Sequence, residues 1–323
     1  MAYNSGTFNE WKLREEMCEI GRRVYNKGFA AANDGNISFR LDENRVLCTP
    51  TRVSKGFMKP DDLCIVDLDG KQVSGKKKRS SEILLHLTIM KTRPDVRSVV
   101  HCHPPHATAF AVAHEPIPKC TMPEFEVFLG EVAIAPYETP GTQTFADTII
   151  PYIKDTDTIL LANHGTVTAG SDLMDAYFKT EIIDAYCRIL ILTKQLGRVE
   201  YYSDAKAAEL IKIKPALGIR DVRLEKGLEN CDLCANSLFQ KGYNEFSPEP
   251  QAFLHPRQVA EQAGPTNPAT EALVDAVVKS VVGGGSPLNA LPATNNSGLS
   301  TDQFNALVSA VTDQVMAALG GSR

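Results

Sequence analysis

Val96-Arg97-Ser98-Val99-Val100-His101-Cys102-His103-Pro104-Pro105 is the stretch that decides how this 323-residue chain is read. Val96 to His101 has the short, apolar, β-branched pattern of a buried strand. Two prolines end it, and they suit the first turn of a helix over 106–113, where a missing N–H costs no intrahelical bond. Ahead of the strand, Ser80 or Ser81 opens a helix carrying Ile83, Leu84, Leu87 and Met90, which stops before Pro94. Helix, buried strand and helix in succession predict an α/β or α+β layered fold with the strand inside.

The flanks agree with that reading. Trp11, Leu13, Met17, Ile20 and Val24 form a helical stripe over 9–26, closed by Gly28. Asn33-Asp34-Gly35-Asn36 is turn chemistry. Residues 37–41, 45–48 and 63–67 read as short strands, with Asp69-Gly70 as a hairpin turn. Further on, 132–135 and 158–161 are strands, and 172–195 is a long amphipathic helix ended by Gly197.

Composition narrows the function classes. Net charge is −5, with no clustered basic face for nucleic acid. The one basic run, Lys76 to Arg79, reads as a solvated loop. No apolar run approaches the ~20 residues that span a bilayer, and the opening Met-Ala-Tyr-Asn-Ser lacks a secretory pattern. The expectation is a cytoplasmic chain whose eight cysteines stay reduced. Cys231 and Cys234 form an isolated C-x-x-C, read as free thiols in a loop rather than a second metal site.

The C-terminal part differs in kind. The reading places one catalytic domain over 1–245 and a Pro/Gly-rich linker over 246–299. That linker carries a short amphipathic helix near 270–282. A terminal amphipathic helix over 300–323 has Phe304, Leu307, Val308, Val311, Val315 and Leu319 on one stripe. Neither helix can bury its apolar face alone.

Three segments carry chemistry. His101 and His103 stand at i and i+2, so at a strand end both imidazoles point to one side and Cys102 to the other. His164 follows the strand at 158–161, and Gly165 behind it permits a close backbone approach. Three neutral imidazoles with an open fourth position make a catalytic zinc-type site. A lone H-x-H is more often a pair of unrelated polar groups in a turn, and these residues are readable that way. His106 and His114 read as surface or helix positions. Ser80-Ser81-Glu82 at a helix start is either an anion seat beside a general base or a plain cap with Glu in the first turn.

A resemblance chooses between these alternatives. Gly35-Asn36-Ile37-Ser38, Thr49-Pro50-Thr51, Ser80-Ser81-Glu82, His101-Cys102-His103-Pro104 and Asn163-His164-Gly165 occur in order across roughly residues 8–200. In this the chain resembles the class II (zinc-dependent) aldolase and adducin-head family. The resemblance implies a mostly antiparallel central sheet flanked by helices in three layers. It implies that His101, His103 and His164 ligate one zinc ion per subunit and that Glu82 is the acid/base. Asn36, Thr51, Ser80 and Ser81 would hold a substrate phosphate. It further implies cleavage of a deoxyketose 1-phosphate, L-fuculose or L-rhamnulose 1-phosphate, to dihydroxyacetone phosphate and L-lactaldehyde, by a homotetramer. Alternatives within the family are a pentulose 5-phosphate 4-epimerase, a sugar-phosphate dehydratase and a non-catalytic assembly module. Arg52 stands where the aldolases have glycine, and Met122 near a family tyrosine; Tyr137 sits in a family Ala-Pro-Tyr motif. The terminal helix is similar to encapsulation peptides of bacterial microcompartment cargo, which implies shell proteins as partners.

Overall fold

Asn9 begins the fold by turning its side chain onto the chain ahead of it. Its Oδ1 accepts from the N–H groups of Trp11 and Lys12, capping the helix α1, Glu10–Asn26. The computed structural model describes residues 9–229, 233–235, 237–239 and 248–255. The helices expected near 270–282 and over 300–323, most of the expected linker, and Cys231 lie outside the described residues.

Four strands follow α1: β1 Asn36–Arg40, β2 Arg45–Cys48, β3 Cys64–Asp67 and β4 Gln72–Ser74. The helix α2 spans Ile83–Thr92, β5 spans Ser98–Cys102 and α3 spans Pro105–Ala113. Next come α4 Pro123–Phe128, β6 Ala133–Ala135, α5 Gln143–Asp147, α6 Ile150–Ile153, β7 Thr158–Leu161 and β8 Gly165–Gly170. The long helix α7, Leu173–Gln195, is capped by Asp172 and precedes α8 Asp204–Ile213 and α9 Val222–Glu225.

Among the described residues the strands form one sheet in the order β4-β3-β2-β1-β5-β8-β7-β6. Every pairing is antiparallel except β6 with β7. The period-two alternation gives the sheet two apolar faces. Val46 and Val99 face one cluster with Ile83, Leu87 and Met90 of α2, Phe145 of α5 and Tyr152 of α6. Leu47, Val100 and Cys102 face another with Met17 and Ile20 of α1 and Tyr177 of α7. Helices therefore cover both faces, and the sheet is the middle of three layers.

β8 is absent from the sequence reading, yet it lies inside the sheet between β5 and β7. Gly-Thr-Val-Thr-Ala-Gly shows little apolar signal. Its threonines are buried because backbone satisfies them: Thr168 Oγ1 donates to the Ala176 carbonyl at 2.8 Å. The cap of α2 also shifts. Glu82 occupies the N-cap position, and Ser80 Oγ accepts from the Glu82 N–H at 3.2 Å.

Two expectations for the later chain need correction. Cys234 is not a free thiol: it forms a disulfide with Cys120, 114 residues away, with the Cα atoms 5.5 Å apart. Only the fold brings them together, so C-x-x-C spacing could not show it. Nor are residues 248–255 a tether. Phe253 is buried and stacks on Phe110 with ring centroids 5.3 Å apart. The Glu115 carboxylate accepts from the N–H groups of Gln251, Ala252 and Phe253.

Candidate metal centre and anion cavity

The site assembles where β1, β5 and the β7–β8 turn meet the start of α2. His101, one residue from the end of β5, is almost fully buried. Its Nδ1 bonds the Thr166 carbonyl at 2.8 Å. A carbonyl accepts only, so Nδ1 carries the proton and Nε2 presents a lone pair. His103 leaves the strand, its N–H donating to the Phe29 carbonyl at 2.8 Å. His103 Nδ1 lies 3.5 Å from Asp34 Oδ2.

His164 arrives from the tight β7–β8 turn, whose Asn163 has φ +55°. Asn163 is anchored there: its N–H donates to the Ala111 carbonyl at 3.1 Å. Its Oδ1 pairs with His114 Nε2 at 2.7 Å. His106 Nδ1 pairs with Asp184 at 2.9 Å. Neither His106 nor His114 belongs to the three-histidine group.

The three rings converge. Their centroids stand 4.7 Å apart for His101 and His164, 5.0 Å for His103 and His164, and 5.2 Å for His101 and His103. One ring nitrogen from each lies within 4.8 Å of the others. His101 Nε2, His103 Nε2 and His164 Nδ1 are buried without a hydrogen bond. Three imidazoles whose ring nitrogens converge this closely, each with a nitrogen that no protein group satisfies, are the donor set of a transition-metal ion.

Burial pushes the His101 imidazole down to about 3, helped by the positive charge His103 can carry. Burial does the same to His164, with His101 next, and Glu82 opposes. Both rings are therefore neutral at pH 7, the state a metal requires.

Glu82 spans the group. Its Oε2 stands 3.4 Å from His101 Nε2 and its Oε1 3.4 Å from His164 Nε2. Asn36 Nδ2 donates to Oε2 at 2.8 Å. One of the two amide N–H donors of Asn36 is thus taken by the carboxylate.

A polar cavity of about 180 Å³ opens beside Glu82. Asn36, Thr51, Ser80 and Ser81 line it together with His103 and His164. Thr51 reaches Ser80 because their segments are laced: the Ser80 N–H donates to the Thr49 carbonyl and the Thr51 N–H to the Lys78 carbonyl. The structure thus brings all eight residues singled out in the sequence to one place, with His101 beneath the cavity. It also adds two that sequence reading missed, Asp34 and Lys55. Asp34 was visible only as turn chemistry, and no motif marked Lys55. Arg52 is exposed, with φ +57°, and Tyr137 is exposed; Met122 packs against the apolar cluster of α3 and α7.

The chain is similar to known proteins over its first two thirds. A family model described as Class II Aldolase and Adducin N-terminal domain matches residues 15–191. The 3-oxo-tetronate 4-phosphate decarboxylase of Haemophilus influenzae is 33% identical over 201 residues, 61% of this chain and 95% of that protein. The L-fuculose phosphate aldolase of Methanococcus maripaludis is 34% identical over 181 residues, covering 56% and 97%. Among solved structures, YgbL from Klebsiella pneumoniae superimposes with a TM-score of 0.59 at 31% identity, covering 63% of this chain and 99% of that one.

Proposed function

The chain belongs to the class II aldolase and adducin N-terminal domain family, and from that premise we propose that it is a metal-dependent lyase acting on a phosphorylated sugar. The substrate is a deoxyketose 1-phosphate such as L-fuculose or L-rhamnulose 1-phosphate. The products are dihydroxyacetone phosphate and L-lactaldehyde. The observation that supports this most is the Glu82 carboxylate, 3.4 Å from two of three converging imidazoles and open to a polar cavity.

His101, His103 and His164 would hold one divalent ion, zinc by their all-nitrogen set with room for a further ligand. When bound, the ion supplies Lewis acidity where negative charge develops as the carbon–carbon bond breaks. Asn36, Thr51, Ser80 and Ser81 would seat the phosphate through the three hydroxyls and the second amide hydrogen of Asn36, whose first sets the direction of Glu82. Glu82 takes the proton of the C4 hydroxyl. The electrons of that O–H bond form the aldehyde carbonyl, the pair of the C3–C4 bond stays on C3, and Glu82 returns its proton to that carbon, which completes dihydroxyacetone phosphate and restores the carboxylate.

The Haemophilus relative supports a second reading, in which the bond broken leads to a carboxylate and carbon dioxide leaves. Epimerase and dehydratase reactions are further outcomes within the family. NMR identification of products separates all of these. We also propose a cytoplasmic homotetramer, delivered into a bacterial microcompartment through its terminal helix; the stripe from Phe304 to Leu319 supports that delivery.

Metal analysis and a lyase assay on the two sugar phosphates test the main reading. The expected result is about one zinc ion per chain, lost with activity in His103→Ala. In Glu82→Gln, kcat falls by roughly 10²–10⁴. Full activity without metal, or in His103→Ala, overturns it.

A further inference from the structure

Lys55 lies in the wall of the same cavity, only 2% exposed, and nothing in the reading above uses it. Its Nζ donates to two backbone carbonyls, Asn33 at 2.9 Å and Val53 at 2.8 Å. Those carbonyls belong to different segments. Asn33 opens the turn that leads to Asn36, and Val53 follows Thr51. The ammonium therefore ties together the two loops that bring Asn36 and Thr51 to the cavity.

Charge makes the position more telling. Asp34 and Glu82 both line this cavity. A phosphate entering it meets two carboxylates. Among the described residues that line the cavity, Lys55 is the one lysine or arginine. An ammonium has three donors, and the two carbonyls take two of them. Burying a lysine is costly, and burial lowers Lys55 to about 8 against the opposing pull of Asp34 and Glu82. It still carries its proton at pH 7.

We propose that Lys55 is the cationic determinant of the anion seat, holding its two loops in register and supplying the positive charge that admits a phosphate dianion beside Asp34 and Glu82. This rests on the sugar-phosphate reading of the cavity. The hydroxyls of Thr51, Ser80 and Ser81 give direction to the anion, and Lys55 gives it net attraction. A neutral sugar gains nothing from Lys55.

The test uses the metal-loaded full-length protein and inorganic phosphate as the probe, measured by calorimetry and by inhibition of turnover. The variants are Lys55→Met, Lys55→Gln and Lys55→Arg, each checked for metal content and thermal unfolding. Gln keeps donors for both carbonyls but has no charge, so it separates tying from attraction and serves if Met does not fold. The expected result is phosphate binding weakened at least ~10-fold in Lys55→Gln, with metal content unchanged. KM for the phosphorylated substrate rises by a similar factor, while kcat changes far less. Lys55→Arg keeps most of the affinity. Phosphate binding as tight in Lys55→Gln as in the parent overturns the proposal and leaves the sugar-phosphate reading standing. Failure of the parent itself to bind phosphate overturns both.

Discussion

Gly165 lies hard against His103: a Cβ added at position 165 would stand 2.6 Å from His103 Cδ2 and 2.6 Å from the Cys102 carbonyl. The residue that follows one member of the histidine group thus sets the room for another. Gly165→Ala must push His103 or the β5 backbone aside. The expected result is metal affinity lowered by about 10–100-fold, with the sheet intact by circular dichroism. Competition titration with a zinc chelator measures it, and parental affinity in this variant would contradict the close packing.

Acid should weaken the metal-free protein through histidines that folding keeps neutral. His86 is fully buried on α2, with Nδ1 2.7 Å from Ser38 Oγ. Burial, and then the charge of His101, hold it down to about 3. Between pH 6.5 and 3 the unfolded chain binds a proton that folded His86 refuses. Stability from this source is therefore complete above 6.5 and falls as the pH drops toward 3. The slope approaches about 1.4 kcal/mol per pH unit for each such histidine. Urea unfolding at pH 7.5, 6 and 5 measures the slope. His86→Gln, which keeps a partner for Ser38, should reduce it by one histidine's share.

The Cys120–Cys234 disulfide closes a loop of 114 residues. Chain-entropy arguments give such a crosslink about 4–5 kcal/mol. Cys234→Ser should lower the denaturation midpoint accordingly. Dithiothreitol should lower the parent to the same point and leave the variant unmoved. Equal midpoints for the oxidised parent and the variant would show that the crosslink adds nothing.

Deleting 299–323 should leave lyase activity in solution unchanged and abolish co-purification with microcompartment shell proteins. Unchanged shell association after the deletion would refute delivery through the terminal helix.

Which parts of this molecule were legible follows from which signals are local. β2, β5 and β7 announce themselves because apolar side chains cover their length and their burial depends on little else. β8 does not, since its threonines become core residues only once the Cys102 and Ala176 carbonyls are present to accept from them. Asp34 and Lys55 were invisible for a similar reason. Asp34 read only as turn chemistry, Lys55 opens a short 3-10 helix over Lys55–Phe57 that no motif marks, and only packing set them beside Glu82.

The sequence by itself determined the layered α/β class, the central apolar strand ending in His101-Cys102-His103, and the ordered motifs that mark the family. These are properties of neighbouring residues, fixed by side-chain period and backbone preference. The tertiary structure alone decided that Asn36 holds Glu82, that Cys120 meets Cys234, and that buried Lys55 shares a cavity wall with Asp34 and Glu82. Each of these joins residues tens of positions apart, and their proximity follows from strand order and helix packing, which no local pattern encodes.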